Sequence, residues 1–228
     1  DPGDLSNALF VECEKGPNSI DYWGDYLYLG EGDAGVQVFD IADPEQPVSL
    51  GLIPVNRSAR MVAAFKDRLF IADYAYGLLA YDIRDPENPV FINDFYDISS
   101  SERQVYSIDV SEDHVYACME DYIHILSTDT IGQWESAETG ASDFGSAVGW
   151  IDFPSYCTNI RAEGDFLYAN TFATSLEIYS IQNPEHPAKL YDSGPGFFTA
   201  NHQSLEIQGN RLFCNNYSTL YSVRIMEE

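Results

Sequence analysis

A twelve-residue block that recurs five times constrains this chain more than anything in its composition. SIDYWGDYLYLG begins at Ser19, MVAAFKDRLFIA at Met61, SIDVSEDHVYAC at Ser107, NIRAEGDFLYAN at Asn159 and SLEIQGNRLFCN at Ser204, with offsets of 42, 46, 52 and 45 residues. Self-similarity at a period in the forties, built from short alternating strands, is the signature of propeller blades. Inside each block one strand runs into a tight turn and a second strand follows. The turns are Gly24-Asp25, Lys66-Asp67, Glu112-Asp113, Gly164-Asp165 and Gly209-Asn210, residues suited to positive φ.

A third strand follows a variable loop in each copy: VQVFDI from Val36, LLAYDI from Leu78, IHILS from Ile123, LEIYSI from Leu176 and LYSV from Leu220. Three of these end in a proline turn, Asp43-Pro44 to Pro47, Asp85-Pro86 to Pro89 and Asn183-Pro184 to Pro187, where Asp or Asn accepts from the turn backbone and Pro fixes φ. The second Pro opens a strand that must be outermost, because it has no N–H for the ladder. Val48 to Ile53, Val90 to Phe95, Gly149 to Phe153 and Ala188 to Tyr191 supply four such strands for five copies. The fifth is expected at the other end, where Asp1-Pro2 precedes Ala8 to Cys13. The spacing therefore predicts an all-β fold, a five-bladed β-propeller of four-stranded antiparallel blades, with the N-terminal strand completing the C-terminal blade and closing the ring. Residues 1–228 form a single domain, with a loop insertion at about 128–148.

Charge narrows the function classes. There are 37 acidic side chains against 11 Lys and Arg, a formal charge of −26, so nucleic acid and anionic membranes are not expected partners. No apolar run approaches a transmembrane segment. Cys13, Cys118, Cys157 and Cys214 have no C-x-x-C spacing, so zinc is not indicated; they are buried thiols or form one or two bridges. No charged n-region with an apolar h-region follows Asp1-Pro2, which does not argue for the cytoplasm.

GVQVFDIADPEQPV and GLLAYDIRDPENPV, with the preceding GDYLYLG and KDRLFIA, resemble the LVIVD repeat. The match is good in the first two copies and weaker beyond them. Asp40 and Asp82 become Ser127, Ser180 and Ser222, and the third copy lacks the Asp-Pro turn. The resemblance implies a β-propeller and an extracellular, periplasmic or cell-surface setting. It carries no catalytic motif.

In such blades the turns after the first and third strands share one face. The loops before the first strand and after the second share the other, and these vary most. They bring Tyr74, Tyr76, Tyr122, Asn170, Phe172, Asn216 and Tyr217 to one face. Loops before the first strands add Arg57, Arg60, Arg103, Tyr106, Tyr156 and His202. Rings offer flat apolar surface and amides and guanidinium groups orient polar ones, so a carbohydrate, peptide or protein ligand is the expected partner. A competing expectation has the arginines neutralising acids such as Asp73 and Glu120.

The third block position holds Asp21, Ala63, Asp109, Arg161 and Glu206, all facing the channel by strand parity, opposite Ile20, Val62, Ile108, Ile160 and Leu205. They are either a polar network or, alternatively, the carboxylates of a glycoside hydrolase or lyase. No resident cofactor is expected; Glu31-Gly32-Asp33 and Glu120-Asp121 are candidates for calcium through hard oxygens, without the spacing of a known calcium loop. The nucleophile elbow, P-loop, Rossmann and zinc-helix motifs are absent from the sequence.

Overall fold

The computed structural model describes residues 11–55, 58–74, 76–96, 104–119, 122–135, 146–152, 157–171, 175–195, 204–215 and 220–225. Among these residues nineteen strands form five antiparallel sheets in chain order. The first blade is β1 (Ser19–Trp23), β2 (Tyr26–Gly30), β3 (Val36–Asp40) and β4 (Val48–Ile53). The second is β5 (Ala59–Phe65), β6 (Arg68–Asp73), β7 (Gly77–Asp82) and β8 (Val90–Phe95). The third is β9 (Val105–Val110), β10 (His114–Met119), β11 (Tyr122–Ser127) and β12 (Ala147–Asp152). The fourth is β13 (Cys157–Glu163), β14 (Phe166–Thr171), β15 (Leu176–Ser180) and β16 (Ala188–Asp192), and the fifth is β17 (Ser204–Gln208), β18 (Arg211–Asn215) and β19 (Leu220–Arg224).

The local chemistry matches the sequence pattern. Gly24, Lys66, Gly164 and Gly209 take positive φ in the first hairpins. In the three proline turns, Asp43, Asp85 and Asn183 accept from the N–H groups of Glu45, Glu87 and Glu185 at 3.1, 3.2 and 3.2 Å. Three of the outer strands begin immediately after the second prolines, as expected.

Four seams between neighbouring blades hold one apolar cluster each. Val62, Leu69 and Ile71 pack on Val36 and Val38 in the first seam, and Phe70, Leu78, Ile108 and Val115 fill the second. Ile123, Ile125, Ile160 and Leu167 fill the third; Tyr168, Leu176, Leu205 and Leu212 fill the fourth. The innermost strands pack in succession, β1 on β5, β5 on β9, β9 on β13 and β13 on β17.

Two expectations are modified. Among the described residues the fifth blade has three strands: Val11–Cys13 lie outside any strand, and residues 1–10, the rest of the expected closing segment, lie outside the description. Ile20 is 63% exposed, whereas Val62, Ile108, Ile160 and Leu205 are 4, 1, 1 and 4% exposed. The described residues thus form five successive blades with one uncovered inner face. The insertion after β11 is also more than a surface loop. Thr128–Gln133 form a 3-10 helix, and Ile131 and Trp134 are buried in the second seam, with Asn93 donating its amide N–H groups to both carbonyl oxygens at 2.9 and 3.1 Å.

Candidate functional site

The two faces of the disk differ as anticipated. One carries the hairpin turns, tied across a seam by Lys66 and Glu112 at 2.8 Å. On the other, the loop after β2 bridges to the next blade's first strand, Gly32 to Ala59, and within the second blade Tyr74 donates its N–H to the Ser58 carbonyl at 3.1 Å.

A feature not anticipated shapes that face. Ala59 pairs with Asp73 but Met61 with Ala72; Met119 pairs with Val105 but Cys118 with Ser107; Cys157 pairs with Thr171 but Asn159 with Asn170. Each inner strand of blades two to four therefore opens with a β-bulge, at Arg60, Tyr106 and Thr158. A bulge re-aims the extra side chain relative to the pleat. Here it turns two candidate residues together across the second seam, with the Arg60 guanidinium 5.2 Å from the centroid of the Tyr106 ring. Thr158, which the sequence did not single out, donates to the Asn170 carbonyl at 3.2 Å.

The other expected residues have varied settings. Tyr74 and Tyr76 are 39% and 42% exposed in the loop after β6. Asp73 holds that loop, accepting from Ser58 N–H at 3.3 Å and Tyr76 N–H at 3.0 Å, so its carboxylate supports the site from below. Tyr122 is half-buried, with its ring 6.0 Å from that of His124. Asn170 is fully buried, and neither amide atom of its side chain has a hydrogen-bond partner among the described residues. Arg57, Arg103, Tyr156, Phe172, His202, Asn216 and Tyr217 lie outside the described residues, as do Glu120 and Asp121. Glu31 and Asp33 are turned to Lys15: its N–H donates to Glu31 at 2.9 Å and its ammonium pairs with Asp33 at 3.0 Å. Among the described residues no three His, Cys, Asp or Glu converge as a metal site.

Three of the five third-position residues meet directly. Arg161 reaches Asp109 at 3.4 Å and Glu206 at 3.2 Å, linking blades three, four and five. Asp21 accepts the Ala64 N–H at 2.7 Å and Asp109 accepts the Ala162 N–H at 2.6 Å. In both cases a carboxylate at the third position takes the N–H at the fourth position of the next blade. Ser107 repeats the device, accepting the Ile160 N–H at 3.1 Å. Burial pushes the Asp109 carboxyl up to about 6 against the pull of Arg161, and burial also raises Asp21.

A further charged cluster, outside the sequence expectations, lies in the fourth blade. Glu177 is 2% exposed, accepts a short bond from the Tyr179 hydroxyl and pairs with the Lys189 ammonium, which also lies over the Tyr179 ring. Burial and the neighbouring carboxylate raise the Tyr179 phenol far above its ordinary range. Nothing in LEIYSI separates this buried Glu from a solvent-facing one.

The family described as the LVIVD repeat matches residues 18–52, the first blade. The beta-propeller domain of Myceliophteria thermophila Cps50 (Swd1) superposes with a TM-score of 0.66 at 13% identity, covering 93% of this chain and 71% of that one. The RRP9 WD40 repeats give 0.65 at 12% identity, over 90% of this chain and 61% of that one. The computationally designed Ika8 protein gives 0.58 at 10%, over 92% and 71%. No curated protein matches. At these identities the likeness is one of fold alone. The chain is a five-bladed β-propeller whose first blade matches the LVIVD repeat.

Proposed function

We propose that this propeller is a noncatalytic binding module, exported or displayed at the cell surface, which takes a carbohydrate or peptide-like ligand on its variable-loop face. The observation that carries the reading is the pairing of Arg60 with Tyr106 across the second seam, beside exposed Tyr74 and Tyr76. A guanidinium resting on a ring, with further rings nearby, combines flat apolar contact with directional donors. The repeat at residues 18–52 supports the setting by resemblance. No helix among the described residues is long and apolar enough to cross a membrane.

Glycan and peptide arrays probed with the intact chain test this reading. A ligand is expected whose affinity falls at least tenfold in Arg60→Ala and in Tyr74→Ala, while the thermal midpoint moves by no more than about 3 °C, as surface substitutions do. Silence across both arrays counts against it.

A second reading places a glycoside hydrolase or lyase at the channel. It is favoured by one observation, a carboxyl at Asp109 with a pKa of about 6 beside Arg161, suited to a general acid. Against it, both Asp109 oxygens are already bonded to the fourth blade. Turnover abolished by Glu206→Gln in a folded protein would establish the enzyme; no turnover on glycosides in the parent chain removes it.

A further inference from the structure

In three seams the last residue of the twelve-residue block meets the next blade two residues before that blade's block begins. In the first seam a Cβ built on Gly30 would stand 3.3 Å from the Ala59 carbonyl oxygen. In the second seam the equivalent residues, Ala72 and Val105, are both fully buried in one apolar cluster. In the third they are Cys118 and Cys157, again fully buried and in one cluster with Ile123 and Ile160. The same packing unit, β2 on β5, β6 on β9 and β10 on β13, brings each pair together. Where two seams use apolar residues, the third places two free, fully buried cysteines at the equivalent positions, and Cys157 is the neighbour that acts on the Cys118 thiol.

We propose that Cys118 and Cys157 are the two ends of a disulfide that fastens the third blade to the fourth, directly below the variable-loop face. Cys13 and Cys214 have different surroundings. Cys13 lies beside Glu31, and Cys214 is buried in the fourth seam with Leu205 and Leu212. The bond forms by exchange with a disulfide oxidant, such as oxidised glutathione or an oxidoreductase of the same class. One cysteine thiolate attacks the oxidant's S–S bond, making a mixed disulfide and releasing a thiol. The second cysteine displaces the remaining thiol, so the protein loses two electrons and two protons and the oxidant becomes two thiols. Burial raises the Cys118 thiol, the neighbouring Cys157 raises it further, and Arg60 acts the other way. With both sulfurs shut away from solvent, exchange belongs to the period when the blades come together rather than to the finished seam.

The test refolds the full chain from denaturant in a glutathione redox buffer, blocks free thiols and maps linked peptides by mass spectrometry without reduction. One bridge is expected, Cys118 to Cys157, with Cys13 and Cys214 blocked, and reduction should lower the thermal midpoint by about 10 °C. The Cys13→Ser/Cys214→Ser variant should keep both the bridge and the drop. The Cys118→Ala/Cys157→Ala variant, which restores the apolar pair of the other seams, should fold and show no drop. Blocked Cys118 and Cys157 in a refolded sample, a bridge to Cys13 or Cys214, or a midpoint indifferent to reduction would each overturn the proposal.

Discussion

At the scale of single residues, the third block position shows a sequence preference serving two needs. Asp21 and Asp109 face the channel, as strand parity requires, but each also reaches sideways to the fourth-position N–H of the next blade. Ala63 and Arg161 occupy the same position without an acceptor to offer, so the clasp spans only the first and third seams of this kind. The channel acids therefore have a structural task whether or not they touch a ligand. Asp109 gives a pH-dependent test of it. Its folded pKa of about 6 exceeds the ordinary value of about 3.9, so between pH 4 and 6 the folded chain holds this proton more tightly than the unfolded chain. Ionisation then costs the fold progressively through that window, by up to about 3 kcal/mol once it is complete. Asp109→Asn keeps an oxygen for the Ala162 N–H and has no proton to lose. Its stability relative to the parent should rise from pH 4 to 6.5, as measured by urea midpoints at fixed salt. Asp109→Ala leaves a buried N–H without an acceptor and should lose about 1–3 kcal/mol at pH 4, a deficit that shrinks towards pH 6.5 as the parent's own Asp109 ionises. Parallel pH curves for the parent and the Asn variant would show that Asp109 titrates as an ordinary carboxyl.

At the scale of strands and turns, the local chemistry was legible because it is written locally. Alternation, Gly or Asn at hairpins and Asp-Pro or Asn-Pro after third strands all act within a few residues, and the strands fall where those signals put them. What was not legible depends on contacts between blades. The bulges at Arg60, Tyr106 and Thr158 add one residue without disturbing the alternation that follows, so only the ladder register reveals them. The polar insertion gave no hint that Ile131 and Trp134 plug the second seam. Gly149 belongs to the same class. A Cβ there would come within 1.8 Å of the Pro184 carbonyl oxygen, because the fourth blade's proline turn leans on β12 at the place where the third copy lost its own turn. Backbone cannot yield as a side-chain tip can, so Gly149→Ala should destabilise by about 1–3 kcal/mol. That corresponds to a fall of roughly 3–10 °C in the thermal midpoint. Gly132→Ala, with nothing within 4 Å of the new methyl, is the control and should leave the midpoint within about 1 °C.

At the scale of the whole molecule, four seams carry apolar clusters and the first blade's outward inner face does not share in them. The contrast rests on a single register position: Val62, Ile108, Ile160 and Leu205 are buried while Ile20 is 63% exposed. On the facing side, Leu220 of β19 holds the place that Val36 holds in the first seam, yet it is 70% exposed where Val36 is fully buried. Ring closure by residues 8–13, anticipated from Asp1-Pro2, would press these two surfaces together. A pair of equivalent substitutions decides whether it does. Threonine keeps the β-branch and strand preference of isoleucine but adds a hydroxyl that a sealed apolar seam cannot satisfy. Ile160→Thr should therefore cost about 2 kcal/mol or more, because its side chain lies inside the third seam. Ile20→Thr should stay within about 0.5 kcal/mol, as a substitution on an open surface does. Denaturant midpoints of the two variants against the parent give the comparison directly. Equal costs would mean that in solution the fifth blade closes over Ile20 and completes the ring.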